Sequence, residues 1–485
     1  MASTPNDDYI LSKNGTKYLP TIGIECHVQL CTKTKLFSEV DNDARSKEPN
    51  SCVSPVDYAL PGMLPRLNGE AVKFAIRAGH AMNCAINPIS RFDRKHYFYP
   101  DSPKGYQITQ FYQPIIGEGY VELASGKKIR IEHAHLEGDA GKLTHYATYS
   151  LVDLNRVDTP LIEIVSRPDI HSARDAHDYA KELWRLMCYA RVTYGDLYNG
   201  NMRYDVNTSV AEEGAESLGT RTEVKNLNSF RSVERAVEYE IKRQIAVLES
   251  GEKVKQETRG WNDATGQTTA QRSKEEAKDY RYMPEPDIPP IHLSEDFINR
   301  ELADFPLMPA DYRERYKDVI KPDLLDILLD YPPLMDKLKD IDESHLTLIV
   351  NLFTSVLLAE EKSAEYLNDL PSAADLSQLA EMNEKKELSS TATKEVFLRL
   401  FDPQMRGRGA RNIASELGLI QENNLGALEQ IVDTVLADPA TAKAQADYKS
   451  GQEKVLGFLV GQVMKQSHGK ANPSAVQQIL RDKLK

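Results

Sequence analysis

Four segments of the chain alternate apolar and polar residues with a period of two, and this pattern constrains the fold more than any other feature. Successive side chains of a β-strand point to opposite faces, so each segment predicts a strand with one apolar and one polar face. The predicted strands are Thr21–Leu30, Ile129–Glu137, Pro160–Ser166 and Arg203–Val210. Such strands are typical of antiparallel sheets in which one face covers a core. We therefore expect a mainly antiparallel sheet with one polar face.

The polar positions of these strands are rich in residues that bind metal ions. They are Glu25, His27 and Gln29, then His133, His135 and Glu137, then Glu163, and finally Arg203, Asp205, Asn207 and Ser209. Carboxylate and imidazole groups suit Mg²⁺ or Mn²⁺ rather than a thiolate-bound metal. An ordinary solvent-facing side is the alternative for any single segment. The repetition over four segments favours a cation-assisted reaction.

Composition limits the class of protein. A chain of 485 residues is too long for one hydrophobic core, and we expect about three domains. Its five cysteines form no CxxC pair, which argues against a disulfide framework and fits a reducing cytoplasm. The start of the sequence resembles neither a secretory signal nor a transit peptide, and no apolar run is long enough to span a bilayer. We therefore expect a cytoplasmic protein that does not enter a membrane.

Glycine, proline and apolar periodicity predict the order of the domains. Residues 1–293 predict a large α+β domain that ends at the proline cluster Met283–Pro290, because these prolines can continue neither a helix nor a central strand. Residues 294–404 predict an all-α middle domain, and residues 405–485 predict a small helical tail domain. The helices with the clearest predicted boundaries are 172–190, 232–250, 411–418, 425–437, 441–464 and 473–484.

Charge is distributed unevenly along the chain. The formal net charge of −13 argues against indiscriminate nucleic-acid binding. Residues 451–485, which we call the basic tail, nevertheless hold six Lys or Arg against two acidic residues. Arg406, Arg408 and Arg411 lie shortly before it. This segment predicts a docking surface for an RNA backbone, and the alternative is a solvated charged helix face.

Several strings are too specific to follow from composition. In chain order they read GIECHVQL, YFYPDSPKGYQITQ, HLEGDAGK, DLNRVDTPLIEIVS, RYDVNTSV, KNLNS, QETR, YRYMPEPD and VLGFLVGQVMKQSHGKANP. Over nearly all of residues 20–485 the chain thereby resembles the B subunits of aspartyl/glutamyl-tRNA amidotransferases. The resemblance implies part of an ATP-dependent carbon–nitrogen ligase that takes its nitrogen from glutamine.

The resemblance also implies a two-step reaction. ATP and Mg²⁺ serve to phosphorylate the side-chain carboxylate of misacylated Glu-tRNA(Gln) or Asp-tRNA(Asn), and ammonia then displaces the phosphate. An amidase A subunit makes the ammonia from glutamine, and a small C subunit completes a heterotrimer. Phosphoryl transfer requires mainly positioning and cations around the phosphates.

Matching motifs assign expected roles to individual residues. By resemblance, Glu25, His27, Glu137 and Glu163 bind the metal, and these four act in catalysis together with Asp139 and Lys142. The residues expected at the nucleotide are Tyr97, Lys104, Lys142, Arg203, Asp205, Asn207 and Lys225. The sequence contains no GxxxxGK[ST] loop, so the ATP site must be built differently. The glycines of residues 138–141 predict a turn that brings backbone N–H groups and Lys142 to phosphate.

The sequence departs from the family pattern at four places, one of which is Tyr204, where the family usually has a cysteine. Gly138 and Asn199 stand where the family usually has glutamates, and Cys52 alone remains where some relatives have a cysteine cluster, so we expect no zinc. The two lost glutamates leave open a non-catalytic scaffold that only tethers tRNA. A metal-dependent hydrolase is a further alternative, because His133 and His135 resemble the start of such a site, but it would need a barrel of alternating strands and helices.

Overall fold

The computed structural model describes residues 8–12, 14–273, 279–421, 425–467 and 471–484. The chain forms two compact units, residues 1–311 and residues 312–485. The described strands all lie in the first unit, and the second unit is helical, which confirms the predicted α+β class. The finer division into three domains stays a prediction.

Short and long strands alternate with a few helices in the first unit. The strands are β1 Ile10–Leu11, β2 Lys17–Gln29, β3 Ile89–Ser90, β4 Asp93–His96, β5 Tyr106–Thr109, β6 Gly119–Glu122, β7 Lys128–Gly138, β8 Lys142–His145, β9 Ser150–Asp153, β10 Pro160–Ser166, β11 Met202–Glu212, β12 Thr222–Leu227, β13 Glu257–Asn262, β14 Gln267–Ser273, β15 Met283–Pro284 and β16 Ile291–His292. The four strands predicted from alternation are confirmed as β2, β7, β10 and β11.

The helices of both units follow in chain order. They are α1 Gly69–Ala81, α2 Ala173–Tyr189, α3 Phe230–Glu249, α4 Glu295–Glu301, α5 Pro309–Tyr316, α6 Pro322–Leu328, α7 Pro332–Leu338, α8 Glu343–Ser355, α9 Ser363–Leu367, α10 Ala373–Glu384, α11 Ser390–Arg399, α12 Ala410–Glu416, α13 Leu425–Ala437, α14 Ala442–Lys449, α15 Leu456–Gln466 and α16 Pro473–Leu484. Short 3₁₀ helices lie at Leu357–Ala359, Pro439–Thr441 and Glu453–Val455. Within the described ranges, every helix is too short or too polar to cross a lipid bilayer.

One large sheet organises the first unit. Its strand order is β14-β13-β12-β11-β2-β10-β7-β6, and β1 pairs with β2 beside this path. Only the pairing of β12 with β13 is parallel among the described strands, so the predicted mainly antiparallel sheet is confirmed. The four predicted strands are neighbours in the order β11-β2-β10-β7, and their polar faces therefore form one continuous surface.

The opposite face of these strands is buried. Ile24, Cys26 and Val28 of β2 are at most 1% exposed, and they belong to the same core cluster as residues of α2 and α3. The hydroxyl of Tyr204 in this core donates to the carbonyl of Ala180 on α2 at 2.9 Å. Because the apolar face is covered by helices, the polar face is the side that is left for a site.

In the two long helices, α2 and α3, a serine at the N-cap marks the residue after which the helix begins. The α2 helix begins after Ser172, as predicted, because Ser172 Oγ accepts a hydrogen bond from the N–H of Asp175 at 3.0 Å. The α3 helix begins earlier than predicted. Ser229 is its cap and accepts from the N–H of Ser232 at 3.0 Å, whereas Ser232 was the expected start. Both serines fit the capping pattern, and the structure uses the earlier one.

The first unit continues past its proline cluster. Met283–Pro284 pairs with β4, Ile288 is buried, and Phe297 of α4 packs against the core of this unit. Proline is tolerated in short edge strands, so the cluster fits into a small sheet instead of ending the unit. The division between the two units lies after Asp311.

The end of the second unit has a hydrophobic core of its own, which includes Leu428, Leu459, Val476 and Leu480. Helices α13 and α16 have the predicted boundaries. The predicted single helix over residues 441–464 is wrong, because α14 ends at Lys449 and Gly451 has a φ of +100°. A positive φ ends a helix, and glycine adopts it without steric cost.

Candidate active site

A row of four polar residues crosses the centre of the sheet. Arg203 on β11 lies opposite His27 on β2, and His27 lies opposite Glu163 on β10. Glu163 in turn lies opposite His135 on β7. Side chains directly opposite each other in an antiparallel pair are close enough to interact. Alternation in four separate strands therefore becomes one row in which Glu163 lies between two histidines and Arg203 lies at one end.

Three side chains of this surface converge. His27 Nε2 lies 3.6 Å from Glu137 Oε1 and 3.7 Å from Glu163 Oε2. The ligand atoms of these three residues all lie within 4.8 Å of one another, and no other such group of His, Cys, Asp and Glu is found among the described residues. His135 Nε2 approaches the same carboxylates, at 3.7 Å from Glu137 Oε2 and 3.5 Å from Glu163 Oε2.

The electrostatics of this group favour an ionised Glu137. Burial raises the pKa of Glu137, but the nearby His135, His27 and Lys95 outweigh burial and hold the pKa below its usual value. Burial lowers the pKa of His135, yet Glu137 and Glu163 outweigh that effect and raise it. One imidazole nitrogen and two carboxylates are a suitable donor set for a hard divalent cation.

Glu25 lies beside this group rather than in it. It is two residues before His27 on the same face, where its Oε1 accepts a hydrogen bond from Asn207 Nδ2 at 2.9 Å. Burial and the negative charges of Glu163, Glu223 and Asp205 raise the pKa of Glu25. The structure thus joins the predicted residues Glu25 and Asn207 to each other.

A cavity of about 430 Å³ lies above the convergent group. The expected site residues that line it are His27, Tyr97, Lys104, Glu137, Asp139, Glu163, Arg203, Asp205 and Lys225. Three expected residues, Glu25, Lys142 and Asn207, are not among its lining residues. Most of the site predicted from motifs that are far apart in sequence is therefore brought together in one place.

Three cations of the cavity, Lys225, Arg203 and Lys104, each pair with an acidic residue. Lys225 Nζ contacts Asp205 at 3.1 Å and Glu223 at 3.2 Å; burial lowers the pKa of Lys225, but these two charges outweigh burial and raise it. Arg203 contacts Asp139 at 3.3 Å. Lys104 forms an ion pair with the buried carboxylate of Asp158. Positive groups fixed in this way are oriented before an anionic ligand arrives.

Lys142 does not meet the cavity. It is exposed at the start of β8, while the turn that precedes it is held by a hydrogen bond from the N–H of Gly141 to the carbonyl of Asp101 at 2.8 Å. The phosphate turn expected at residues 138–141 lines the cavity through Gly138, Asp139 and Ala140. The predicted approach of Lys142 to a phosphate in this cavity is therefore not supported by its position.

The departures from the family pattern leave the convergent group complete. A Cβ at Gly138 would lie 2.7 Å from Asp158 Oδ1, on the opposite side of β7 from the side chain of Glu137. Asn199 is outside the cavity lining and donates its backbone N–H to Asp196 at 3.0 Å. Neither position belongs to the three residues that converge.

Lys95 and Tyr280 are among the cavity residues that were missed from the sequence. Lys95 is on β4, and its Nζ lies 4.9 Å from the centre of the Tyr280 ring. Burial lowers the pKa of Lys95, but Glu137 and other negative groups outweigh burial and raise it. The strand β4 is only four residues long and has no apolar alternation, so it carries no recognisable pattern. The YRYMPEPD string was the one available indication for Tyr280.

Comparison with known proteins finds related sequences over nearly the whole chain. The family model described as the GatB/GatE catalytic domain matches residues 20–299, and the model described as the GatB domain matches residues 337–484. The chain is 40% identical to the aspartyl/glutamyl-tRNA(Asn/Gln) amidotransferase B subunit of Persephonella marina, over 97% of this chain and 100% of that protein. The protein of the same name from Carboxydothermus hydrogenoformans is 40% identical over 96% of this chain and 99% of its own length. That of Thermotoga maritima is 39% identical, over 96% and 98%.

Proposed function

The chain belongs to the family of aspartyl/glutamyl-tRNA(Asn/Gln) amidotransferase B subunits, and from this membership we propose that it activates the side-chain carboxylate of Glu-tRNA(Gln) or Asp-tRNA(Asn) with ATP. The observation that carries the proposal is the convergence of His27, Glu137 and Glu163 at a cavity lined by Lys104, Arg203 and other cations. A cavity that combines carboxylates and an imidazole with several cations suits the phosphates of ATP together with a bound metal ion.

We propose that His27, Glu137 and Glu163 hold Mg²⁺. Their donor atoms are the right types and lie close enough to share one ion. When bound, Mg²⁺ would neutralise negative charge on the phosphates of ATP. Glu25 stays a proposed ligand, because its carboxylate is on the same face of the sheet. In this structure that carboxylate accepts a hydrogen bond from Asn207. Zinc is not part of the proposal.

The chain's own cations then act on the phosphates and on the substrate carboxylate. Lys104, Arg203 and Lys225 line the cavity, and each is positioned by a carboxylate partner. Preorganised cations stabilise charge that develops on the transferred phosphoryl group without having to reorient. The aromatic ring of Tyr97, also in the lining, offers an apolar contact for the nucleotide.

The proposed reaction balances in two steps. An oxygen of the substrate carboxylate bonds to the γ-phosphorus of ATP while the bond to ADP breaks, which gives an acyl phosphate. Ammonia then attacks the acyl carbon, and phosphate leaves with the oxygen that it gained. A free carboxylate lacks such a leaving group, so the first step makes the second feasible. We propose that the ammonia comes from an amidase A subunit and that a small C subunit completes the complex in the cytoplasm.

The two alternatives differ from this proposal in what they require. A metal-dependent hydrolase of the expected kind would need a barrel, whereas the described strands of the large sheet pair antiparallel with one exception. A tethering scaffold would need no convergent group, yet His27, Glu137 and Glu163 are in place. We therefore keep the enzyme as the proposal and test it against the scaffold.

The test is amidation by the reconstituted complex of three subunits. Glu-tRNA(Gln) and Asp-tRNA(Asn) are supplied with glutamine, with and without ATP, and with Mg²⁺ or a chelator. We expect one ADP for each amide formed and no amide without ATP or the cation. Amide formation that is unchanged when ATP is omitted would refute the proposal.

A further inference from the structure

We propose that four aromatic residues, Tyr280, Tyr282, Phe111 and Tyr112, stack with the unpaired nucleotide bases at the 3′ end of the substrate tRNA. We call these residues the ring series. The identity of the occupant as tRNA rests on the proposed function. The inference adds where the substrate's terminal bases lie, which neither the family match nor the convergent group assigns.

The ring series runs without a gap from the cavity to solvent. Tyr280 lines the cavity, and its ring centre lies 6.0 Å from that of Tyr282. Tyr282 stacks on Phe111 with ring centres 4.1 Å apart and planes 12° apart. Phe111 meets Tyr112 edge to face at 5.0 Å. Phe111 is 54% exposed and Tyr112 is 61% exposed, so the series ends in open ring surface.

Both halves of the ring series are anchored on β4. The buried carboxylate of Asp93 accepts the backbone N–H groups of Phe111 at 2.9 Å and Tyr112 at 3.0 Å. On the same strand, the N–H of His96 donates to the carbonyl of Tyr280 at 3.0 Å. A single strand thus fixes the backbone that carries rings far apart in sequence, and the stacking of Tyr282 on Phe111 holds two of the rings against each other. Rings held in place lose little freedom when a ligand binds, which favours affinity.

The surroundings fit a single-stranded nucleic acid. Lys95 Nζ sits over the Tyr280 ring, and the side chain of Arg281, between the two tyrosines in sequence, is exposed. Sites for single strands combine aromatic faces for bases with cations for the backbone. When the aminoacyl group of a tRNA lies in the cavity, the terminal nucleotides to which it is attached must extend from the cavity towards solvent. The ring series follows such a path. An adenine base of ATP would need one ring next to the cavity and would leave the outer rings unused.

The test is a comparison of two tRNA(Gln) molecules, one intact and one shortened by its unpaired 3′ nucleotides. Their binding to the full complex is measured without ATP, for the unaltered chain and for a Phe111→Ala/Tyr112→Ala variant. Stacking of one base accounts for a loss of about tenfold. We expect the variant to bind intact tRNA about tenfold more weakly and to bind shortened tRNA as the unaltered chain does. Phe111→Tyr should keep full affinity because it retains the ring.

A matched control separates stacking from general damage. Tyr198→Ala removes a tyrosine that is 98% exposed and lies outside the ring series, and it should change neither affinity. Equal losses for intact and shortened tRNA, or no loss for either, would overturn the proposal. A rise in the KM for ATP with unchanged tRNA binding would also overturn it, because the rings would then serve the nucleotide. As binding is measured without ATP, failure of the proposed chemistry would not alter this result.

Discussion

His27 and Glu163 lie directly opposite each other on β2 and β10, with His27 Nε2 3.7 Å from Glu163 Oε2. Their strands are separated by more than a hundred residues of sequence, and the antiparallel pairing alone brings them together. Glu137 completes the group from β7, which pairs with the other edge of β10. The proposed metal site is therefore a property of the sheet register, and a slip by one residue would turn its side chains to the opposite face.

His27→Ala should abolish ATP-dependent amidation and leave the glutaminase activity of the A subunit intact. Loss of a ligand removes charge neutralisation of several kcal/mol, so we expect kcat to fall by about a thousandfold. The matched control is His292→Ala on β16, which removes an exposed histidine outside the cavity. Amidation by the His27 variant at the rate of the control would contradict the assignment.

Gly138→Ala should destabilise the first unit. The new Cβ would lie 2.7 Å from Asp158 Oδ1 and 3.4 Å from Phe37, and it would disturb the ion pair of Asp158 with Lys104. Overpacking of this kind costs about 1–3 kcal/mol of unfolding free energy. Gly69→Ala is the control, since a Cβ there meets nothing within 4 Å. Equal melting temperatures for the two variants would show that the strand shifts freely, and Gly138→Glu would then be tolerated as the family pattern suggests.

The cavity was predicted from the sequence less completely than the sheet beneath it. Alternation identified β2, β7, β10 and β11, because a period of two is a local property. The family motifs identified most lining residues of the cavity. Lys95 was missed because its strand is short and wholly polar, and the phosphate contact of Lys142 stays a prediction, since Lys142 is outside the cavity lining. Both depend on how distant segments pack, which local patterns do not contain.

Helix boundaries show the same limit. The break within residues 441–464 occurs at Gly451, a single residue whose positive φ ends α14. The sequence shows a glycine there, but glycine is also found within helices, as at Gly457 and Gly461 in α15. The packing of α14 and α15 in the core of the second unit decides whether a glycine ends a helix or lies within it.

Lys35→Met should lower stability without touching the cavity. Lys35 and Asp57 are both fully buried and pair at 3.2 Å, and removal of the lysine leaves a buried carboxylate without its counter-charge. We expect a loss of about 3–5 kcal/mol of unfolding free energy. The control is Lys242→Met, which breaks an exposed pair with Glu238 on α3 and should change stability by less than about 1 kcal/mol.

A double variant separates the cost of the unpaired charge from the cost of lost packing. Adding Asp57→Leu to Lys35→Met removes the unpaired charge, so stability should recover in part. The measurement is denaturant unfolding of the unaltered chain, both single variants and the double variant. A double variant that is less stable than Lys35→Met would mean that the cost is lost packing and not an uncompensated charge.

Truncation after Gln421 should weaken tRNA binding while glutaminase activity of the complex persists. The cut spares α12, whose Ala410, Ile413 and Ala414 are buried, and removes the separate core of α13–α16 together with the basic tail. Of the tail's six cations, Lys454, Lys465, Arg481 and Lys483 are exposed, and Lys483 pairs with Asp433, while Lys470 and Lys485 lie outside the described residues. Phosphate contacts set affinity without chemistry, so the KM for aminoacyl-tRNA should rise.

The arginines before the tail are a weaker candidate for that contact. Arg408 pairs with Glu416 at 3.0 Å, Arg411 pairs with Glu387 at 2.7 Å, and Arg406 pairs with Asp369. The loss of tRNA affinity on truncation should therefore be steepest at low salt and should come from the tail. Identical salt titrations for truncated and full-length complexes would show that the tail is only a solvated surface.

The most direct measurement of the central claim follows an oxygen atom. Glu-tRNA(Gln) is prepared with ¹⁸O in both oxygens of the side-chain carboxylate and amidated by the reconstituted complex with unlabelled ATP. The proposed acyl phosphate requires that each phosphate released carries one ¹⁸O, and that no label is transferred when His27→Ala replaces the unaltered chain. Amide formation with phosphate free of ¹⁸O would contradict activation of the carboxylate by phosphoryl transfer.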